Sequence, residues 1–397
     1  MLLKLTQRVL TETDLRMLMR FAWTVGWKGS RAISRFSRRA AGGDVVPPFV
    51  FISITNACNL SCQGCWVTPS NPPRELSLPV LDNLITDCKR DGAHFFGLLG
   101  GEPLLHRGLL ELLGRHRDCF FQILTNGTLL TDELAGAMRR LGNVTPLISI
   151  EGLERVSDER RGGQEVFRRA MEGLAHCRRH RLLTGVATSV CRSNIGEVAT
   201  AAFVNDLVRR GVHYLWYYIY RPAGPRPCPE LALTEAEILR LREFIVDIRT
   251  RAPLVIVDAY WDHLGRAVCP AAIGISHHIN PAGDLEPCPP IQFARDNAGD
   301  GARVVESLRK SEFLRSFRAF ARAETRGCIL LERPDLLFDF LAAGQARDTS
   351  GRDTAYAELA AMRSHPGHHL PGQEIPERSW FYRFAKKHWF FGFGAYG

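Results

Sequence analysis

The sequence predicts an α/β fold with parallel strands. Between residues 48 and 220, short apolar stretches alternate six times with stretches of helical periodicity. Repeats of this length imply right-handed crossovers between strands, and such crossovers join parallel strands. With 397 residues and 45% hydrophobic content, the chain can bury a large core.

Each strand is predicted from a compact apolar run, and each helix from apolar residues spaced three or four apart. The predicted strands cover residues 49–55, 95–99, 120–124, 147–150, 185–190 and 212–219. The predicted helices cover residues 77–92, 109–113, 131–141, 165–179 and 195–210. Thr131 is a typical N-cap, and Gly92 and Gly142 are typical helix stops. A sixth helix is predicted to begin at Thr234, which can form a capping box with Glu237.

Three cysteines with C-x3-C-x2-C spacing follow the first predicted strand: Cys58, Cys62 and Cys65. Three thiolates on a short loop can each bind one iron of a cubic cluster, which leaves the fourth iron open to another molecule. A zinc loop or buried structural cysteines are the alternatives, because three nearby cysteines alone are ambiguous. A second motif decides against them, since the run Gly100-Gly101-Glu102-Pro103 follows the second predicted strand.

Together the two motifs resemble the radical S-adenosylmethionine (SAM) superfamily over roughly residues 48 to 220. The resemblance implies a partial (β/α)6 TIM-type barrel with its site on the loops after the strand C-terminal ends. It implies a [4Fe–4S] cluster on the three cysteines, SAM on the open iron, and an external one-electron donor of the flavodoxin or ferredoxin type. It also implies an enzyme that cleaves SAM reductively to a 5'-deoxyadenosyl radical, which abstracts a hydrogen atom from the substrate.

The resemblance also implies which loops bind SAM. The residues so assigned are Gly100, Gly101, Glu102, Pro103, Asn126, Ser149 and Glu151. For the last three, SAM or the substrate could be the ligand, and ordinary turn chemistry is the alternative. One departure from the family is Gly64, because many members carry an aromatic residue directly before the third cysteine. This chain instead places Trp66 after it.

A second set of three cysteines lies beyond the predicted barrel: Cys269, Cys288 and Cys328. Their order, with the run Gly283-Asp284-Leu285-Glu286-Pro287-Cys288, resembles the auxiliary-cluster domains of radical SAM enzymes, the SPASM domain and the shorter twitch domain. The resemblance implies one auxiliary Fe–S cluster, with buried structural cysteines as the alternative. The candidates for its fourth ligand are Cys228, His263, His277 and His278. The cysteines predicted to lie in the core are Cys88, Cys119, Cys177 and Cys191.

Both ends of the chain combine aromatic and basic residues. Residues 1–41 hold nine Lys or Arg, a large share of the excess behind the net charge of +9. There Leu15, Leu18, Phe21, Ala22 and Val25 predict an amphipathic helix, which either caps the barrel or contacts a membrane surface. The aromatic tail at residues 380–393 either contacts a bilayer interface or folds back over the barrel and closes the active site.

These patterns give four predicted parts: a basic N-terminal extension (1–47), the barrel (48–230), an auxiliary cluster domain (231–345) and a C-terminal extension (346–397). Eleven cysteines at ligand-like spacings, no signal peptide and no membrane-spanning run favour a reducing cytoplasm, with peripheral attachment to the inner face of the membrane as an addition. No nucleic-acid partner is expected. The substrate stays open between a small or lipid-like molecule and a peptide, and a noncatalytic Fe–S electron carrier is the third alternative.

Overall fold

A nine-stranded sheet forms the centre of the protein in the computed structural model, which describes residues 1–388. The strands of this sheet are β1 (Val50–Thr55), β2 (Phe95–Gly100), β3 (Phe120–Thr125), β4 (Val144–Ser149), β5 (Gly185–Val190), β6 (Tyr214–Ile219), β7 (Val255–Val257), β8 (His278–Ile279) and β9 (Leu285–Glu286). Their order is β7-β6-β5-β4-β3-β2-β1-β8-β9. All neighbours pair in parallel except β8 and β9. The predicted α/β fold with parallel strands is confirmed.

Helices cover this sheet, so its strands are buried almost along their whole length, as is typical of parallel sheets. The first half of the chain has α1 (Leu2–Glu12), α2 (Leu15–Phe21), a π-helix (Ala22–Lys28), α3 (Gly29–Ala40), α4 (Leu78–Asp91), α5 (Leu109–Arg115), α6 (Asp132–Leu141), α7 (Glu154–Arg161), α8 (Val166–Arg179), α9 (Ile195–Val198) and α10 (Ala201–Arg209). The second half has α11 (Glu235–Ile248), α12 (Pro270–Ile273), α13 (Val304–Lys310), α14 (Glu312–Glu324), α15 (Ile329–Glu332), α16 (Pro334–Ala343), α17 (Ala355–Ala361) and α18 (Trp380–His388). Short 3-10 helices lie at Pro103–Leu105 and Pro229–Leu231, and β10 (Phe293–Ala294) pairs with β11 (Arg347–Asp348).

The helix boundaries follow the caps read from the sequence. Thr131 accepts a hydrogen bond from the backbone of Leu134, and Thr234 and Glu237 form the predicted capping box. Gly92 and Gly142 end their helices with positive φ, which glycine adopts without strain.

The main differences from the prediction are at two boundaries and in one missed helix. The helix predicted at 195–210 is split into α9 and α10, because Thr200 caps a new helix through the backbone of Phe203. Strand β4 begins at Val144 rather than at residue 147. Pro146 lies in its first part, which pairs with β3 but does not pair with β5. Helix α7 was missed altogether.

The N-terminal helices cover the end of the barrel where the strands begin. Phe21 packs edge-on against Phe120 at the start of β3, with ring centroids 5.2 Å apart. Arg20 and Arg39 reach the carbonyl of Leu141 and the carboxylate of Asp91, at the C-terminal ends of helices α6 and α4. Cations stabilise such helix ends. The contacts match the capping interpretation of this segment. Among residues 1–388, no helix has both the length and the apolar character that crossing a bilayer would need.

The apolar face predicted for the N-terminal helix is wrong in part. Val25 is buried, but Leu15 is 61% exposed and Ala22 is also exposed, whereas Met17 is fully buried. The π-helix at Ala22–Lys28 has more residues per turn than an α-helix, so residues before and after it do not share the one face that regular helical spacing assigns to them.

The C-terminal helix α18 packs against the edge strand β7 and not over the barrel mouth. The hydroxyl of Tyr382 accepts a hydrogen bond from the backbone of Ile256, and Lys386 ion-pairs with Asp258 and Glu377. The prediction that the tail closes the active site is therefore wrong for residues 380–388. The rest of the aromatic tail, from residue 389, lies outside the described residues.

Candidate active site

A cavity of about 360 Å³ opens at the C-terminal ends of strands β1 to β6. Both cysteine triplets line it, the first from the loop after β1 and the second from the C-terminal half of the chain. Gly100, Gly101, Asn126, Ser149 and Glu151 line it as well. The structure therefore brings together most of the residues that the sequence indicated, while Glu102 and Pro103 lie behind the cavity wall, both buried.

Gly100 and Gly101 allow the first cysteine loop to approach strand β2 closely. A Cβ on Gly100 would lie 2.1 Å from the carbonyl oxygen of Thr55, and one on Gly101 would lie 2.2 Å from that of Ala57. The amide of Gly101 donates to Thr55 over 2.8 Å, and the amide of Glu102 donates to Ala57 over 2.7 Å. Only glycine fits at both positions, so the pair fixes the loop that carries Cys58.

Glu102 joins the ends of β2 and β3. Its side chain is fully buried and accepts hydrogen bonds from the Thr125 hydroxyl (2.7 Å), the Asn126 amide (2.8 Å) and the Leu104 amide (3.1 Å). Burial raises the pKa of this carboxyl, although these hydrogen bonds oppose the change. In this arrangement Glu102 positions Asn126, and its own contact with SAM stays a prediction.

The first triplet has the donor set of an iron–sulfur cluster. Among residues 1–388, neither triplet brings its three sulfurs within 4.8 Å of one another, whereas thiolates around a single zinc ion lie about 4 Å apart. Burial, with smaller contributions from the neighbouring Cys62 and Cys65, raises the pKa of the Cys58 thiol to about 11. Bound metal reverses this effect, because its positive charge favours the thiolate.

The remaining predicted residues around the first triplet form a polar wall. Glu151 pairs with Arg161 and accepts from the Ser189 amide over 3.0 Å. Arg161 Nη1 lies 3.7 Å from Cys62 Sγ, and the side chain of Asn126 donates to Asn59 over 2.9 Å. Asn59 belongs to the cysteine loop. These contacts hold the loop against strands β3 to β5.

The second triplet lines the same cavity. Cys269 and Cys328 precede the short helices α12 and α15, and Cys288 follows β9. Burial raises the pKa of Cys269 to about 11 and that of Cys288 to about 12. Arg221 Nε donates to Cys328 Sγ over 3.2 Å. These thiols therefore share two features with the first triplet: the same cavity and an adjacent guanidinium.

The structure places the four candidates for a fourth auxiliary ligand elsewhere. Within the described part of the chain, none of Cys228, His263, His277 and His278 lines the cavity. The ring of His278 is held between Ser53 (2.7 Å) and Glu286 (2.6 Å). The cysteines predicted to lie in the core, Cys88, Cys119, Cys177 and Cys191, are all buried at 1% exposure or less.

The cavity residues that the sequence did not indicate include Arg160, Arg161, Tyr220 and Arg221. Arg160 and Arg161 end helix α7, whose sequence lacks the apolar periodicity that predicts a helix. The other two directly follow β6, a position that in parallel barrels faces the active site. Their position directly after a predicted strand could have identified Tyr220 and Arg221 from the sequence.

Comparisons with known proteins agree with this arrangement. Residues 52–202 match the family model described as "Radical SAM superfamily". The sporulation killing factor maturation protein SkfB of Bacillus subtilis is 31% identical over 151 residues, 37% of each chain. An AdoMet-dependent heme synthase of Nitratidesulfovibrio vulgaris is 27% identical over 326 residues, 73% of this chain and 86% of that protein.

Solved structures show the same fold. The structure of Streptococcus suis SuiB bound to S-adenosylmethionine superimposes with a TM-score of 0.60 at 16% identity, over 69% of this chain and 68% of that chain. The first curated relatives are matched over 37% to 45% of their own length. With the cysteine loop and the glycine pair at the ends of β1 and β2, these matches establish that the chain contains a radical SAM domain, which spans residues 52–202.

Proposed function

We propose that this protein is a radical SAM enzyme that cleaves SAM reductively and abstracts a hydrogen atom from a substrate in the cavity. The convergence of both cysteine triplets on one cavity supports the proposal most directly. Cys58, Cys62 and Cys65 would hold a [4Fe–4S] cluster, and an external one-electron donor of the flavodoxin or ferredoxin type would reduce it.

When bound, this cluster supplies an electron to the sulfonium of SAM, which yields methionine and a 5'-deoxyadenosyl radical. The chain's own residues would position the reactants. Gly100 and Gly101 hold the loop and offer backbone groups to SAM, and Glu102 with Pro103 fixes their turn. Asn126, Ser149 and Glu151 would bind the polar parts of SAM or of the substrate. The apolar cavity wall would exclude water from the radical.

The test of this proposal is reductive SAM cleavage by anaerobically reconstituted protein. Wild-type protein with dithionite and SAM should form 5'-deoxyadenosine, measured by chromatography. The variant with Cys58→Ala, Cys62→Ala and Cys65→Ala should form none, because no cluster remains next to the SAM site. Cys177→Ala, which removes a buried core thiol, is the matched control and should retain cleavage. Cleavage by the triple variant would contradict the proposal.

We further propose one auxiliary Fe–S cluster on Cys269, Cys288 and Cys328. The three thiols line one cavity, and the guanidinium of Arg221 beside Cys328 would stabilise a thiolate there, which supports a metal group at this place. We also retain the division into residues 1–47, 48–230, 231–345 and 346–397 as a proposal, supported by the N-terminal helices that underlie the barrel.

The substrate class has support from two directions. SkfB is named a sporulation killing factor maturation protein and one structure of SuiB contains a precursor peptide, whereas other relatives are named heme synthases and a GTP 3',8-cyclase. A small molecule is our first proposal and a peptide the alternative. Detection of a modified peptide by mass spectrometry would decide for the alternative. A noncatalytic electron carrier is the third class, and 5'-deoxyadenosine formation excludes it.

We propose peripheral membrane contact through the N-terminal helices. Leu15, Met19, Trp23 and Trp27 form an outward stripe, each more than half exposed. Trp23 and Trp27 stack with centroids 6.4 Å apart, and Arg31 lies over Trp27. Aromatic rings beside cations suit an anionic lipid surface. The stripe lies at the opposite end of the barrel from the cavity, so this contact would favour a substrate that arrives from the aqueous side.

Flotation with phosphatidylglycerol vesicles tests this contact. Wild-type protein should float with the vesicles at low salt and release at high salt. The double variant Trp23→Ala/Trp27→Ala should stay in the pellet, whereas Leu264→Ala, which removes an exposed leucine elsewhere, should behave as wild type. If wild-type protein ignores the vesicles at low salt, the membrane proposal fails.

A further inference from the structure

The cationic side chains that line the cavity outnumber the carboxylates that line it. Its charged lining residues, thiols aside, are Glu151, Arg160, Arg161, Arg221 and Arg226. Glu151 pairs with Arg161. Within residues 1–388, no carboxylate oxygen lies within 4.0 Å of the guanidinium of the other three arginines. Arg226 is exposed to solvent, so Arg160 and Arg221 are the two cationic groups that face the cavity with restricted access to water and without a carboxylate partner.

Arg160 is the most deeply placed of the three. It is 5% exposed, and its Nε is buried without a hydrogen-bond partner. Its Nη1 reaches only the carbonyl of Gln63, at 3.5 Å, and its Cζ lies 4.9 Å from the ring centroid of Tyr220. A buried charge without a counter-charge is costly. The ligand of the cavity is the remaining source of that counter-charge.

Arg221 extends the same pattern toward the second triplet. Its Nε donates to Cys328 Sγ, and its Nη2 lies 3.4 Å from the hydroxyl of Tyr260. Its Cζ is 5.4 Å from the Tyr260 ring centroid. A guanidinium offers five N–H donors in a planar fork. The Nη1 of Arg221 also lies 3.5 Å from the carbonyl of Ile219, so three of the five donors are used and two stay available for a ligand oxygen.

The two cysteine triplets do not supply a partner for every cavity arginine. Arg161, which pairs with Glu151, lies beside the first triplet with its Nη1 3.7 Å from Cys62 Sγ, and Arg221 lies beside the second triplet. Within residues 1–388, the hydrogen bond to Gln63 is the only one that the Arg160 guanidinium makes. A substrate oxyanion would give this guanidinium a charged partner.

We propose that the substrate is an oxyanion, bearing a carboxylate or phosphate group on an apolar planar body, and that Arg160 and Arg221 bind the anionic group. The aromatic lining by Trp66, Tyr218, Tyr220 and Tyr260 provides the surface for the planar body. This inference rests on the proposed function for the assignment of the cavity as the substrate site. A guanidinium can bind a carboxylate or a phosphate in a bidentate manner. The experiment below therefore distinguishes a carboxylate from a phosphate.

The test measures binding of three naphthalene probes to reconstituted protein saturated with SAM, without reductant. The probes are 1-naphthoate, 1-naphthyl phosphate and the neutral isostere 1-naphthamide, followed by fluorescence titration under anaerobic conditions. The wild type should bind at least one anionic probe about 10-fold more tightly than the amide, because charge-assisted hydrogen bonds are the stronger kind. The preferred anion identifies the group as carboxylate or phosphate.

Arg160→Gln and Arg221→Gln should each lower this preference to about 2-fold or less, while amide binding stays unchanged. Arg221→Lys keeps the charge and should show an intermediate preference, which separates charge loss from misfolding. Arg155→Gln, on the same helix as Arg160 and 83% exposed in its side chain, should match the wild type. A wild type without preference, or an unchanged preference in both Gln variants, overturns the inference. Failure of SAM cleavage in the same preparations counts instead against the proposed function.

Discussion

The phenol ring of Tyr220 fills the space in which a side chain at Gly64 would lie. A Cβ on Gly64 would be 1.9 Å from the hydroxyl oxygen of Tyr220 and 2.5 Å from its nearest ring carbon. Many radical SAM proteins carry an aromatic residue at the position of Gly64. Here a ring from the end of β6 takes that space, and the positive φ of 65° at Gly64 suits the glycine that remains.

This relationship predicts a non-additive pair of substitutions. Gly64→Ala should lower the free energy of unfolding by about 2–4 kcal/mol, because it adds overpacking to backbone strain. On a Tyr220→Gly background the same change should cost only the backbone strain, about 1 kcal/mol. Urea unfolding of the four proteins measures the difference. Gly43→Ala is the matched control, since its φ is 83° and nothing lies within 4 Å of an added Cβ. Additive effects would show that the two residues do not compete for one space.

The second prediction concerns the iron content. The variant with Cys58→Ala, Cys62→Ala and Cys65→Ala should retain about four irons per chain if the auxiliary cluster is a cube. Replacing Cys269, Cys288 and Cys328 by Ala should leave the first cluster, and replacing all six should remove both. Iron and sulfide analysis after anaerobic reconstitution measures this. An iron-free first variant would mean that the second triplet holds no cluster.

The third prediction concerns Glu102. Glu102→Gln replaces one acceptor oxygen by an NH2 group, which faces donors from Thr125 and Asn126. The loop should shift, and SAM should bind about 10-fold more weakly. Iron content should stay intact, because Glu102 holds no iron. Equilibrium dialysis with SAM measures the change, and an unchanged SAM affinity would contradict the assignment.

The fourth prediction concerns acid stability. Glu377 belongs to a fully buried ionic cluster with Asp258, Arg242, Arg249 and Lys386. Burial alone would raise the pKa of Glu377, but the three cations outweigh burial and lower the pKa to about 2. Because the pKa is lower in the folded state, this carboxylate stabilises the fold above about pH 4.5, and the stabilisation is lost as the pH falls toward 2.

Glu377→Gln should therefore be less stable than the wild type at pH 7 and lose less stability between pH 4.5 and 2. Thermal unfolding at several pH values measures both effects. Glu374→Gln changes an exposed carboxylate three residues away and should follow the wild type. Parallel pH profiles for wild type and Glu377→Gln would show that the pKa of this carboxyl is not lowered.

The barrel was predictable because its strands are compact apolar runs between clear helix caps such as Thr131 and Gly142. The two-residue strands β8 and β9 were not, since so short a segment carries no periodicity. Helix α7 was missed because its residues are polar nearly throughout, although it supplies Arg160 and Arg161. The cysteine positions were predictable from spacing. The contact between Gly64 and Tyr220 was not, because the two residues are distant in sequence and meet only through the barrel.

Electron paramagnetic resonance of the reduced first cluster tests the central claim most directly. In the variant with Cys269→Ala, Cys288→Ala and Cys328→Ala, only the cluster on Cys58, Cys62 and Cys65 should remain. Its spectrum should change when SAM is added, because SAM binds the iron that no cysteine holds. An identical spectrum with and without saturating SAM would contradict the claim that this triplet forms the SAM-binding centre.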